Sequence, residues 1–304
     1  DRDEAGTSTL DLRADHALEI DNADIESTTG ALNVILNADR DGDQDGKITI
    51  TNSTISTTGG YLVAGGGAGD LGGTNGILGD GDGTGADDNF AYAIGNGHGI
   101  YIGTSNLTTS GGDVILHGYA KGVGTSRGVL IYQTPISTDE GWISITGTTT
   151  GDTNDRGIEI NGDTSTAITS LITTTGNIDL QGTSASTLGV LLWEDTTIST
   201  TDGNITITAD ALSNSIFAAG IDAPTHNISS TNGNITIIAD SADLEEITSL
   251  SAGDSLSIFT IDPATTIGLG GGTGILNLNT TELSKLSAGN KIIIGESGVQ
   301  TGDM

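Results

Sequence analysis

Ile198-Ser199-Thr200-Thr201-Asp202-Gly203-Asn204-Ile205-Thr206-Ile207 is followed thirty residues later by Ile228-Ser229-Ser230-Thr231-Asn232-Gly233-Asn234-Ile235-Thr236-Ile237, nearly the same text. The phrase Ile/Leu-x-Ser/Thr-Ser/Thr-x-Gly also stands at Ile25–Gly30, Ile55–Gly60, Leu107–Gly112, Ile136–Gly141 and Leu171–Gly176, with Asp139 as the one departure at its fourth position. Successive copies begin 30, 52, 29, 35, 27 and 30 residues apart. A second marker, Gly followed by an alternating apolar run, falls at Gly99, Gly128, Gly157, Gly189 and Gly220, spaced 29, 29, 32 and 31. Two independent markers share one period. Internal repeats of this length mark solenoids.

The period-2 alternation after each phrase (Val114/Leu116, Ile143/Ile145, Ile178/Leu180, Ile205/Ile207, Ile235/Ile237) puts aliphatic side chains on one face of a short strand. A thirty-residue unit of short strands cannot bury that face alone. Stacking coil on coil buries it in a continuous column and pairs the backbones in parallel. The crossover preference makes the coil right-handed. The expected fold is all-β: a right-handed parallel β-helix of about ten coils, a rod of roughly 50 Å at roughly 4.8 Å per coil. In this reading residues 1–304 are a single β-helix segment of a longer protein. The Gly/Asp-rich stretch 65–98 is an insertion loop, so the gap of 52 is either one coil with an insertion or two short coils. Corner glycines are expected at positive φ, and the Ser/Thr pairs as hydroxyl ladders on the outside.

Composition agrees with short strands and tight turns: 48 Gly, 3 Pro and 3% aromatic residues in 304. Forty acidic residues against nine basic give a net charge of −31, which repels nucleic acid and anionic membranes, both bound through Lys and Arg. No run has the length of a membrane span, so no membrane insertion is expected of this segment. There is no Cys.

The runs Gly30-Ala31-Leu32-Asn33-Val34-Ile35-Leu36-Asn37-Ala38-Asp39-Arg40-Asp41-Gly42-Asp43, Ala93-Ile94-Gly95-Asn96, Gly203-Asn204-Ile205-Thr206-Ile207-Thr208-Ala209-Asp210, Gly233-Asn234-Ile235-Thr236-Ile237 and Glu282-Leu283-Ser284 to Ile294-Gly295 resemble the β-helix repeats of filamentous-haemagglutinin-like giant adhesins of cyanobacteria and other Gram-negative bacteria. The resemblance implies export to the cell surface, often by two-partner secretion, and a role in adhesion, aggregation or biofilm. It implies a structural or adhesive shaft, with a carbohydrate or protein surface ligand and the remainder of the same long chain as partners.

The sharpest local motif is Asp39-Arg40-Asp41-Gly42-Asp43-Gln44-Asp45-Gly46-Lys47-Ile48, which from Asp41 reads like the first eight positions of an EF-hand loop. Asp39, Asp41, Asp43 and Asp45 are candidate Ca²⁺ ligands, with Gly46 supplying the turn and Asn52 where a bidentate Glu would stand. Asp80 and Asp82, with Asp87 and Asp88, form a second acidic cluster in the insertion, and Asp152-Thr153-Asn154-Asp155 a third. Gly97-His98-Gly99, preceded by Asp87-Asp88, resembles motifs of polygalacturonases, which gives the alternative reading of a β-helical polysaccharide-processing enzyme. His98 lies only ten residues from Asp88, no Asn-Thr-Asp or Arg-Ile-Lys accompanies the pair, and Gly99 already belongs to the repeat. A non-catalytic segment is therefore expected.

Overall fold

A computed structural model gives the structure; it describes residues 6–67, 90–94, 97–122, 124–151, 154–162, 168–211, 214–219, 225–295 and 301–302. Of the described residues 58% are strand and 2% helix, so sheets must bury one another. Each full coil lays one strand on each of three sheets. Sheet A runs through Ser8–Arg13, Leu32–Ala38, Leu62–Gly66, Val114–Lys121, Ile143–Thr149, Ile178–Ser184, Ile205–Ala211, Ile235–Ala239, Ser255–Phe259 and Lys291–Ile294, which makes ten levels. Sheet B has eight strands, from Leu18–Asp21 to Ala242–Asp243, and sheet C nine, from Asp24–Glu26 to Leu286–Ala288. Every strand pairs in parallel with its counterpart one coil away, as in Val114↔Ile143, Ile143↔Ile178, Ile178↔Ile205 and Ile205↔Ile235. The fold is the parallel β-helix that the period implied.

The core is a set of vertical files. Val114, Ile143, Ile178, Ile205, Ile235 and Leu256 stand over one another from sheet A. Ile48, Ile100, Val129, Ile158, Val190 and Ile216 do so from sheet B. Sheet C contributes Ile55, Leu107, Ile136, Leu171, Ile198, Ile228 and Leu250. All are buried. Burying one such side chain stabilises the fold by about 1.5–3 kcal/mol before chain entropy is charged.

The glycines of the repeated phrase do a different job from the one expected. Gly60, Gly112, Gly141, Gly176, Gly203 and Gly233 are absent from the positive-φ residues. A Cβ on Gly141 would lie 2.0 Å from the Gly112 carbonyl oxygen, and one on Gly203 1.8 Å from that of Gly176. Corners of successive coils stack backbone on backbone, and any side chain there would force them apart. The hydroxyl two positions beyond each file residue points inward, not outward: Thr57, Thr109, Thr138, Thr173, Thr200 and Ser230 are buried. Thr200 Oγ1 accepts from the Gly203 N–H at 3.0 Å and donates to the Gly176 carbonyl at 3.1 Å. The hydroxyls thus satisfy corner backbone groups that water cannot reach. Outside this corner runs an asparagine ladder instead: the Asn204 N–H donates to Asn177 Oδ1 at 2.7 Å and the Asn234 N–H to Asn204 Oδ1 at 2.9 Å.

The turn from sheet B to sheet C is made by one residue in the left-handed region: Asn22, Asn52, Thr104, Gln133 or Glu194, with φ between 47° and 56°. None is glycine. The last coil makes an excursion, with a small sheet of Ile267–Leu269 and Leu276–Leu278 and a one-turn helix Thr280–Leu283 whose Asn279 and Glu282 form a reciprocal capping box.

The long gap is one coil carrying an insertion. Leu62 pairs with Val114, an offset of 52, whereas Ala91 pairs with Gly118, an offset of 27, so 25 residues enter one strand of sheet A and leave the register intact. The insertion is narrower than the expected 65–98: the strand Leu62–Gly66 runs past Gly65, and Ala91–Ile94 is back in the sheet. The bulk of it, including Asp80, Asp82, Asp87 and Asp88, lies outside the described residues.

Candidate functional site

The acidic loop joins the sheet A strand Leu32–Ala38 to the sheet B strand Ile48–Thr51. Its turn is made by Asp39 (φ 53°), Gly42 (φ 71°) and Gln44 (φ 70°). Gly46 is required for another reason: a Cβ there would lie 2.1 Å from the Asp39 nitrogen. Gly46 also exchanges two backbone hydrogen bonds with Tyr92, 2.9 and 2.7 Å, which ties the loop to the strand returning from the insertion. Strands flank the loop where an EF-hand has helices.

The four candidate ligands separate. Asp39 is buried and turned into the loop, where Oδ1 accepts the N–H groups of Gln44 at 3.0 Å and Asp45 at 3.2 Å. Desolvation pushes its carboxyl up to about 6, against those two hydrogen bonds, and nearby Asp43 adds to the rise. Asp41 and Asp43 come together with His16 of the preceding coil, their ligand atoms within 4.8 Å of one another and all three side chains exposed. Asp45 is not in that group; it lines a recess of about 320 Å³ with His16, Lys47, Tyr92 and Ile94. Two carboxylates and an imidazole offer fewer oxygens than the six to eight that Ca²⁺ prefers. Of the third cluster, Asp155 is buried and its Oδ1 caps the Ser126 N–H at 2.9 Å.

His98 lies on the outer face of sheet B, opposite Arg127 in the next coil. Burial holds its imidazole down at about 4, and Arg127 adds to the effect, so it is neutral at pH 7. No family model, curated protein or solved structure matches this chain. Its surface must therefore be read from its own chemistry.

One face differs from the rest. Along sheet B, His98, Arg127 and Arg156 form one outward file, and Tyr101, Leu130, Glu159 and Leu191 a second. Gly103, Tyr132, Asn161 and Trp193 form a third. Glu159 is the hub: Oε2 accepts from Arg127 Nε at 2.5 Å and Arg156 at 3.1 Å, and Oε1 accepts from Asn161 Nδ2 at 3.0 Å. Its side chain is only 6% exposed, so the charges are well shielded from water. The matching outward positions of sheet A carry Ser144, Asp179, Thr206 and Thr236. Sequence reasoning passed over this face because its members lie about thirty residues apart; only alignment of the coils brings them together.

The histidines give a pH signature. His117 stacks on Phe90 with ring centroids 5.4 Å apart, and burial lowers its imidazole to about 4 as well. The unfolded chain takes up these protons near the ordinary value of about 6.5. The stabilisation is therefore complete above about 6.5 and lost as pH falls from there towards 4. Asp39 acts in the opposite sense, its folded carboxyl being raised. Denaturant midpoints at pH 7.5, 5.5 and 4.5 should fall less steeply in His117→Leu than in the parent; parallel curves would refute the assignment.

Proposed function

We propose that this segment is a structural and adhesive shaft of an exported bacterial surface protein of the filamentous-haemagglutinin-like kind. What carries the reading is the parallel stack: ten levels of sheet A whose register survives the insertion, which project whatever the chain bears at fixed height and orientation. A shaft of this type needs no catalytic constellation, and the repeat phrases quoted above support the family likeness. Among the described residues no helix is long and apolar enough to cross a membrane. Antibodies raised against the purified segment should label intact bacteria carrying the chain and block their aggregation. Labelling only after the cells are broken would overturn the proposal.

The acidic loop adds a second element: weak Ca²⁺ binding at Asp41 and Asp43, with Asp39 and Asp45 completing the negative field. Any ligand that binds only the folded state raises stability, by roughly 2.7 kcal/mol at a hundred times its dissociation constant. Adding millimolar CaCl₂ after a chelator should raise the melting temperature of the parent and leave Asp41→Asn/Asp43→Asn unmoved. No shift in the parent would remove calcium from the account.

A further inference from the structure

We propose that the outer face of sheet B between the strands His98–Gly103 and Leu188–Trp193 binds a neutral polysaccharide, with pyranose rings stacked along Tyr101, Tyr132 and Trp193. The proposal deepens the adhesive reading and rests on it for its biological setting, though the binding itself is a property of the isolated chain.

The chain has five Tyr and two Trp, and three of these seven stand on this face. They form a line. Tyr132 pairs with Gly103 in the preceding coil and Asn161 in the next, and Asn161 pairs with Trp193. Gly103 carries no side chain, and the place where its Cβ would point is filled by Tyr101: the Tyr101 hydroxyl would lie 2.4 Å away. Tyr101 thus leans into the file and extends it to four coils. Successive levels are roughly 4.8 Å apart, about the length of one pyranose unit in a linear glycan. A glycan laid parallel to the rod axis meets a ring or a planar amide at each step.

The polar groups are held in place beforehand. Glu159 fixes Asn161 between the Tyr132 and Trp193 positions and holds both guanidinium groups. His98 packs near Tyr101, ring centroids 5.8 Å apart. Two polar atoms at this face, His98 Nδ1 and Arg156 Nε, are buried without a hydrogen-bond partner among the described residues, a cost that a plain Ser/Thr face would not carry. Rigid aromatic surface beside fixed polar groups is the usual make-up of a recognition face.

Charge selects the ligand class. Arg127 and Arg156 face Glu159 and, at Arg156, Asp155 as well, so the face is close to neutral within a molecule of net charge −31. That field repels a polyuronate or a nucleic acid before either reaches the face. An uncharged glycan pays no such penalty and can use guanidinium and amide edges as hydrogen-bond partners for its hydroxyls.

Titration of the purified chain with cellohexaose, mannohexaose and xylohexaose, followed by tryptophan fluorescence and calorimetry, tests this, with hexagalacturonate as the charged counterpart. At least one neutral hexasaccharide should bind saturably, shift the emission of Trp193 and be insensitive to salt. Trp142 stands on the corner beside Asp113, away from this face, so Trp142→Phe should leave the binding isotherm unchanged. Tyr132→Ser and Trp193→Thr should each weaken binding about tenfold, the equivalent of about 1.4 kcal/mol, while melting near the parent temperature. Three results would overturn the site: no neutral hexasaccharide bound, binding undiminished when Tyr132→Ser and Trp193→Thr are combined, or binding of hexagalacturonate alone that salt abolishes. Surface labelling of cells is independent of all three, so failure here leaves the shaft reading to its own test.

Discussion

Gly141→Ala, the addition of one methyl group, should cost this chain about 3 kcal/mol or more. The new carbon would sit 2.0 Å from the Gly112 carbonyl oxygen and 2.3 Å from its carbon, with the Asp113 nitrogen at 2.9 Å. None of these is the end of a side chain that can swing away. Relief requires two stacked corners to separate, which loosens the pairing of Val114 with Ile143 and the burial of both. Overpacking of a filled core typically costs 1–3 kcal/mol, and here rigid backbone takes the strain. In a stack held by nearest-neighbour contacts, such a wedge also divides the rod into two cooperative units. Urea denaturation should show a lower midpoint and a broadened or biphasic transition; a curve superimposable on the parent would contradict the stacked-corner geometry. At Gly42 (φ 71°), where a Cβ would meet nothing within 4 Å, only the backbone conformation opposes a side chain. Gly42→Ala should therefore cost less, roughly 1–2 kcal/mol.

Glu159→Ala should be comparably damaging for electrostatic reasons. It strips the counter-charge from Arg127 and Arg156, whose side chains are 12% and 18% exposed, and releases Asn161. Removing one partner of a buried ion pair costs about 3–5 kcal/mol because the remaining charge is stranded. The value at this outer face should fall at the lower end. Arg127→Met/Glu159→Leu/Arg156→Met should recover most of the loss, since the three paired charges leave together and only Asp155, which accepts from the Ser126 N–H, stays. Chemical denaturation of the single and triple variants gives the comparison. Equal stability of parent and Glu159→Ala would mean that the bridge contributes nothing. Recovery in the triple variant without glycan binding would separate the stabilising role of this face from its recognition role.

Much of this fold could be read from the sequence because a solenoid repeats its constraints. Ile143, Ile178 and Ile205 align by counting, and they stack as counted. The positions of the phrase glycines are legible and their cause is not, since a sequence shows that a side chain is missing but not which atom excludes it. Backbone proximity between coils, as between Gly141 and Gly112, has no local signature. The B-to-C corner was hidden for a related reason. Asn52, Thr104, Gln133 and Glu194 share a left-handed backbone but no residue type, so the stacked coils impose that conformation against each residue's own preference. In the acidic loop Asp41 and Asp43 lie together with His16, whereas Asp45 stands outside that group and the Asp39 carboxylate serves the loop's own N–H groups. The contribution of His16 comes from the coil before, a level away from the motif.

The interrupted strand of sheet A has a consequence for how such a rod changes over generations. The backbone at Gly66 lies against that at Phe90, where a Cβ on Gly66 would be 2.3 Å from the Phe90 carbonyl oxygen, so the two ends of the insertion are already in contact. The coil closes across that seam whatever hangs from it. New text can be spliced in at this seam without altering the pitch above or below, which makes it a socket for swapping side branches on an unchanged mast.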